Sequence, residues 1–144
     1  MIWKFDATDG RAAGRAKAAL LRSISSQADP SADLVLFELV FSELIANVAR
    51  HAPKTAFVSF EWRDDGMVLH VDDNGPGFSG PGELPENPLC ESGRGLFLVG
   101  HLSNKIDVSA RSSGGSRVSV WLPVYRALTK APVPHRMARA YSIG

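Results

Sequence analysis

The sequence predicts an α+β fold: a two-layer α/β sandwich, with helices on one face of a mixed, mostly antiparallel sheet. Three observations predict it. Two helical patterns follow one another between residues 11 and 51, with no strand between them. Two hairpin patterns come later, at 55–72 and 105–122. A third helix pattern separates the hairpins. Runs of helices and runs of paired strands pack as segregated layers around one core.

Each element has its own warrant. Met1–Phe5 reads as a short strand and Asp6–Gly10 as a turn. From Arg11 to Ser26, Ala13, Ala16, Leu20 and Ile24 recur at spacings of three and four, which is an amphipathic helix. Asp29-Pro30 reads as an N-cap followed by proline in the first turn of a second helix. That helix extends to about His51, and Pro53 marks its end. It is apolar on most sides (Leu34, Leu36, Phe37, Val40, Phe41, Leu44, Ile45, Val48), so it is expected to pack on several faces. Thr55–Trp62 and Met67–Asp72 are rich in β-branched and aromatic residues and flank the turn Arg63-Asp64-Asp65-Gly66. Residues 79–92 hold three prolines and read as a loop. Gly93–Ser103 reads as a glycine turn feeding a helix. Lys105–Ala110 and Ser116–Leu122 are the last strands, joined across Arg111–Gly115. After Pro123 the pattern fades. One domain over 1–125 is expected, with a basic, flexible tail over 126–144 carrying Arg126, Lys130, Arg136 and Arg139.

Bulk properties narrow the class. The chain has 144 residues, the size of one domain that can bury a core unaided. Its net charge of +1 gives no global field for nucleic acid or an anionic membrane. One cysteine, Cys90, excludes a disulfide framework within the chain. The start lacks the apolar core of a signal peptide, and no run suffices for a membrane span, so a cytoplasmic location is expected.

Four stretches carry chemistry. Glu43 and Asn47 interrupt the most apolar helix, four residues apart and so on one face. Burying them is costly unless something polar sits opposite. A metal-bound, watery pocket is such a partner: Asn47 offers a neutral oxygen to Mg²⁺, and Glu43 can orient or deprotonate a hydroxyl. The pair also reads as a solvent-facing polar stripe. In VDDNGPGF (71–78), a strand ends at Asp72 or Asp73 and the chain then turns hard. A carboxylate there accepts hydrogen bonds only, so it suits an exocyclic amine such as adenine N6 and rejects guanine O6. An acidic β-turn is the simpler alternative. ESGRGLFLVG (91–100) sets Gly93 and Gly95 before a helix, a ready phosphate cradle with Arg94 as an added cation. GGSRVSVWLP (114–123) brings Ser116 into the last strand. Alone, these two stretches read as an ordinary helix start and a hairpin turn. The four histidines (51, 70, 101, 135) show no metal-ligand spacing and read as structural or exposed.

In this order, the four stretches resemble the motif boxes of the GHKL ATPase superfamily. SELIANVARHA resembles the N box, which implies Glu43 as catalytic glutamate and Asn47 as magnesium ligand, with His51 near the nucleotide. DNGPGF resembles the first glycine box. That implies Asp73, rather than Asp72, as the adenine-reading aspartate, with Gly75 and Gly77 shaping the slot. ESGRGLFLV resembles the second, with Gly93, Arg94, Gly95 and Leu96 around the phosphates. GGSRVSV resembles the last box, with Ser116 where threonine is more usual. The resemblance covers roughly 1–123 and implies the Bergerat ATP-binding sandwich, with ATP and Mg²⁺ as cofactors. Within the superfamily the pattern is closest to bacterial anti-sigma factor serine/threonine kinases of the partner-switching type. That implies phosphorylation of an anti-sigma factor antagonist protein on serine or threonine. A sigma factor or other output protein would compete for the same chain, and a homodimer is possible. No membrane and no direct nucleic acid are expected as partners. Two other readings stay open: a non-catalytic, ATP-gated binding module, and the catalytic domain of a histidine kinase. The second needs a phosphorylatable histidine on a helix pair, and the roughly 30 residues before the N-box helix hold none.

Overall fold

Asp9 starts the first helix. Its Oδ1 accepts from the N–H groups of Arg11 (3.0 Å) and Ala12 (3.1 Å), two donors that a helix start otherwise leaves unpaired. The computed structural model describes residues 1–50, 54–74 and 105–128. In chain order they form β1 (Trp3–Asp6), α1 (Gly10–Gln27), α2 (Val35–Arg50), β2 (Thr55–Arg63), β3 (Gly66–Asp73), β4 (Lys105–Ala110) and β5 (Ser116–Leu122). The predicted loop over 79–92, the helix after Gly93 and the tail beyond residue 128 lie outside the described residues.

Helix α1 buries Ala16, Leu20 and Ile24 along one stripe, as the spacing predicts. Helix α2 begins at Val35, not at Asp29-Pro30 as expected from sequence. The reason is local. Asp29 Oδ1 accepts from the backbone N–H (2.9 Å) and Oγ (2.6 Å) of Ser31, and Asp29 O accepts from the Ala32 N–H at 2.9 Å. Those bonds make a tight turn, with proline inside it, rather than a helix start. Entry to α2 falls to Asp33, whose Oδ1 accepts from the Val35 N–H at 2.9 Å, and to Leu34, whose carbonyl accepts from Glu38 N at 3.1 Å. Phe37, Val40, Phe41, Leu44, Ile45 and Val48 are then buried.

The five strands form one sheet in the order β1-β2-β3-β5-β4, and every described pairing is antiparallel. Gly66 enters β3 at φ +133°, and a Cβ there would strike the carbonyl oxygen of Leu122 on β5. Only glycine lets the hairpin pack this closely. Side chains alternate across the sheet. Ala56, Val58, Met67, Leu69, Val71, Val120 and Leu122 join Leu20, Ile24, Phe37 and Leu44 in one buried cluster, so both helices cover the same face. That is the predicted two-layer sandwich.

The opposite face is polar. Row by row, the register sets Phe57 beside Asp72 and Arg117, and Ser59 beside His70 and Ser119. His70 is buried and held from both sides: Nδ1 lies 2.7 Å from Ser119 Oγ and Nε2 lies 2.8 Å from Glu61 Oε1. Packing continues past Pro123. Val124 is buried, Arg126 pairs with Ala28, and the Ala127 N–H donates to Gln27 O at 2.7 Å.

Candidate functional site

Tandem acids at the end of a strand must point to opposite faces. Asp72 falls on the polar face and Asp73 on the face that α2 covers, two residues beyond the core residue Val71. Their surroundings differ accordingly. Asp72 is buried and gripped by Arg117 through two parallel bonds, Nε to Oδ1 at 2.7 Å and Nη2 to Oδ2 at 2.9 Å. Arg111 Nε approaches the same carboxylate at 3.8 Å. The bidentate bond to Asp72 holds the Arg117 pKa above the ordinary guanidinium value, against the opposing pull of partial burial. Asp72 is thus tied up in the fold.

Asp73 is half-buried, and its Oδ2 accepts the Ser116 hydroxyl proton at 2.6 Å. The structure therefore joins two residues that the sequence reading assigned separately. The β4–β5 turn holds this junction in place. Arg111 N donates to Gly115 O and Gly114 N to Arg111 O, both at 3.0 Å. Gly114 and Gly115 sit at φ +95° and +82°. A Cβ on Gly115 would run into the Asp73 carbonyl oxygen, so the glycine lets the turn lie against the end of β3.

On the helical layer, Glu43 and Asn47 are both half-buried, one turn apart on α2, which packs against β2, β3 and β5. Asn47 Oδ1 is buried and has no hydrogen-bond partner among the described residues. A native fold rarely leaves such an acceptor unpaired unless something else fills the need. A hard cation fits that acceptor, since magnesium takes few protein ligands and neutral oxygens suit it. Among the described residues no three His, Cys, Asp or Glu side chains gather as a metal site.

His51, Gly75, Gly77, Gly93, Arg94, Gly95 and Leu96 lie outside the described residues. A groove between β1 and α1, flanked by Lys4, Arg15 and Arg22, contains none of the sequence-predicted site residues. Sequence reading missed Arg111 and Arg117. The signal was there: of two consecutive acids ending a strand, one faces away from the helices and needs a cationic partner from a neighbouring strand.

Among the described residues no helix is long and apolar enough to cross a membrane. Comparison with protein families matches residues 6–122 to the histidine kinase-like ATPase domain. Comparison with curated proteins finds no significant match.

Proposed function

The chain belongs to the histidine kinase-like ATPase family, an ATP-binding module, and from that premise we propose a partner-switching protein kinase. In this reading it transfers the γ-phosphoryl of ATP to a serine or threonine of a small antagonist protein. A sigma factor or other output protein competes with that antagonist for binding. The observation that carries the reading is on α2: Glu43 stands one turn before Asn47, whose buried Oδ1 has no partner among the described residues.

The roles follow from chemistry. Asn47 would hold Mg²⁺ through Oδ1; the ion supplies neutralisation of phosphate charge. Glu43 would accept or orient the proton of the attacking hydroxyl, which a carboxylate within reach of the acceptor can do. Asp73 would accept from the exocyclic amine of adenine. Ser116, bonded to Asp73 Oδ2, helps fix that carboxylate's rotamer. Asp72 supports this division: its bidentate partner Arg117 keeps it on the other face.

Incubation with γ-labelled ATP, Mg²⁺ and a small antagonist protein from the same gene neighbourhood tests the reading. Phosphoserine or phosphothreonine on the antagonist is expected. Glu43→Ala should keep ATP binding by calorimetry and lose transfer. Nucleotide-dependent binding without any transfer would make the protein a gated binding module instead. Acid-labile phosphohistidine on a partner would return it to histidine-kinase chemistry.

A further inference from the structure

We infer that Arg111 is a positioning residue for base recognition, holding the end of β3 so that Asp73 meets its ligand at a fixed angle. The inference rests on Asp73 reading adenine, as proposed above.

The geometry is specific. The β3–β5 ladder ends at the pair Asp72–Arg117, so Asp73 lies beyond the last rung on that side. Its carbonyl oxygen accepts from Arg111 Nη1 at 3.0 Å. The same guanidinium sits 5.6 Å from the Phe57 ring centroid and turns its Nε toward Asp72. Phe57 is the β2 neighbour of Asp72. One side chain therefore reaches β2 and both acids of β3, while the Arg111 backbone closes the β4–β5 turn. It does so from the polar face, while the Asp73 carboxylate works on the other.

This arrangement orients rather than reads. The guanidinium bonds the backbone of Asp73, not its carboxylate, and it approaches from outside the helical layer. A planar cation with a fixed fork of donors, resting on an aromatic face, is well suited to hold one carbonyl in one place. The turn that carries it is itself closed by two backbone bonds and pressed against the same carbonyl through Gly115. The end of β3 is thus braced before the chain leaves the sheet. A charge-assisted bond weakens steeply as its angle departs from linear. Loosening this brace is expected to degrade discrimination between bases more than bulk affinity.

The test compares ATP with ITP, whose base carries an oxygen in place of the exocyclic amine. Dissociation constants with Mg²⁺ are measured by calorimetry for the full chain and for Arg111→Met, Arg111→Lys and Asp73→Asn. Met keeps an apolar stem over Phe57 and removes every donor. We expect Arg111→Met to weaken ATP by about tenfold and to leave ITP within about twofold, as for a misaligned charge-assisted bond. The ATP/ITP preference then collapses. Lys, a single movable donor, should recover part of it. Equal weakening of both nucleotides, or an unchanged preference, would overturn the inference. If the parent chain prefers ATP and Asp73→Asn abolishes the preference while Arg111→Met does not, only the role of Arg111 fails. If the parent shows no preference, the adenine reading fails and the role of Arg111 falls with it.

Discussion

At the scale of single residues, the amide of Asn47 and the carboxylate of Asp73 make opposite demands. A buried acceptor without a donor costs about 1–3 kcal/mol of desolvation. Asn47 Oδ1 is such an acceptor among the described residues. Replacing Asn47 by Ala removes that cost and raises helix propensity, so the metal-free protein should be as stable as the parent, or more stable by up to about 1 kcal/mol. Magnesium dependence of nucleotide binding should disappear in the same variant. Urea unfolding in chelator, alongside calorimetry with and without Mg²⁺, checks both; a clear loss of metal-free stability would mean that Oδ1 is already satisfied. Asp73 shows the reverse pattern. Asp73→Asn keeps the shape but replaces one carboxylate oxygen with a donor. ATP binding should weaken by about 1.5–3 kcal/mol, the worth of a charge-assisted bond. Unchanged affinity would remove Asp73 from base recognition. The sequence made these two residues visible because each breaks a local pattern: a polar face in an apolar helix, and acids before a glycine turn. The resemblance already favoured Asp73 over Asp72 for the base; what stayed hidden was the partner of Asp72, since Arg117 reaches it only because β5 lies beside β3.

At the scale of elements, the boundaries most legible in the sequence are those set by neighbouring residues. The spacing of Ala16, Leu20 and Ile24 fixed the buried stripe of α1, and the turn residues 111–115 fixed the limits of β4 and β5. The start of α2 was misread because Asp29-Pro30 satisfies the rule for a helix start as well as the rule for a turn. A distant contact helps to decide between them: the Asp29 N–H donates to Tyr125 O at 2.8 Å, in a segment that no local window includes. Hence the two aspartates should behave differently. Asp33→Ala removes the acceptor at the entry to α2 and should cost about 1 kcal/mol, typical of a lost helix cap. It should also speed amide exchange at Val35. Asp29→Ala should loosen the turn at Ser31 and leave Val35 protected. Exchange measured residue by residue distinguishes them, and the opposite ranking would restore the earlier helix start.

At the scale of the whole molecule, the two faces of the sheet divide the labour. The face under the helices holds the core and the candidate ligand groups; the other is a polar lattice that ties β2, β3 and β5 together through side chains. Glu61 is a hub of that lattice. It accepts from Arg63 Nη2 at 2.8 Å and lies 2.8 Å from His70 Nε2, which in turn lies against Ser119 on β5 through Nδ1. The Arg63 bond first, and then the His70 bond, hold the Glu61 carboxyl below its ordinary value of 4.5. The sign follows from linkage. A carboxyl whose folded pKa is depressed stabilises the fold fully above its unfolded value, and loses that contribution as pH falls through the folded one. Glu61→Gln should therefore lower stability at neutral pH. The gap between parent and variant should close as pH falls below 4.5, because protonation makes the parent resemble the variant. Because Glu61 is partly exposed, solvent screens the ion pair and the neutral-pH gap should be small. Denaturant unfolding at a series of pH values measures it. A gap that stays constant into the acid range would mean that Glu61 acts by packing alone, and that the lattice on this face does not depend on its charge.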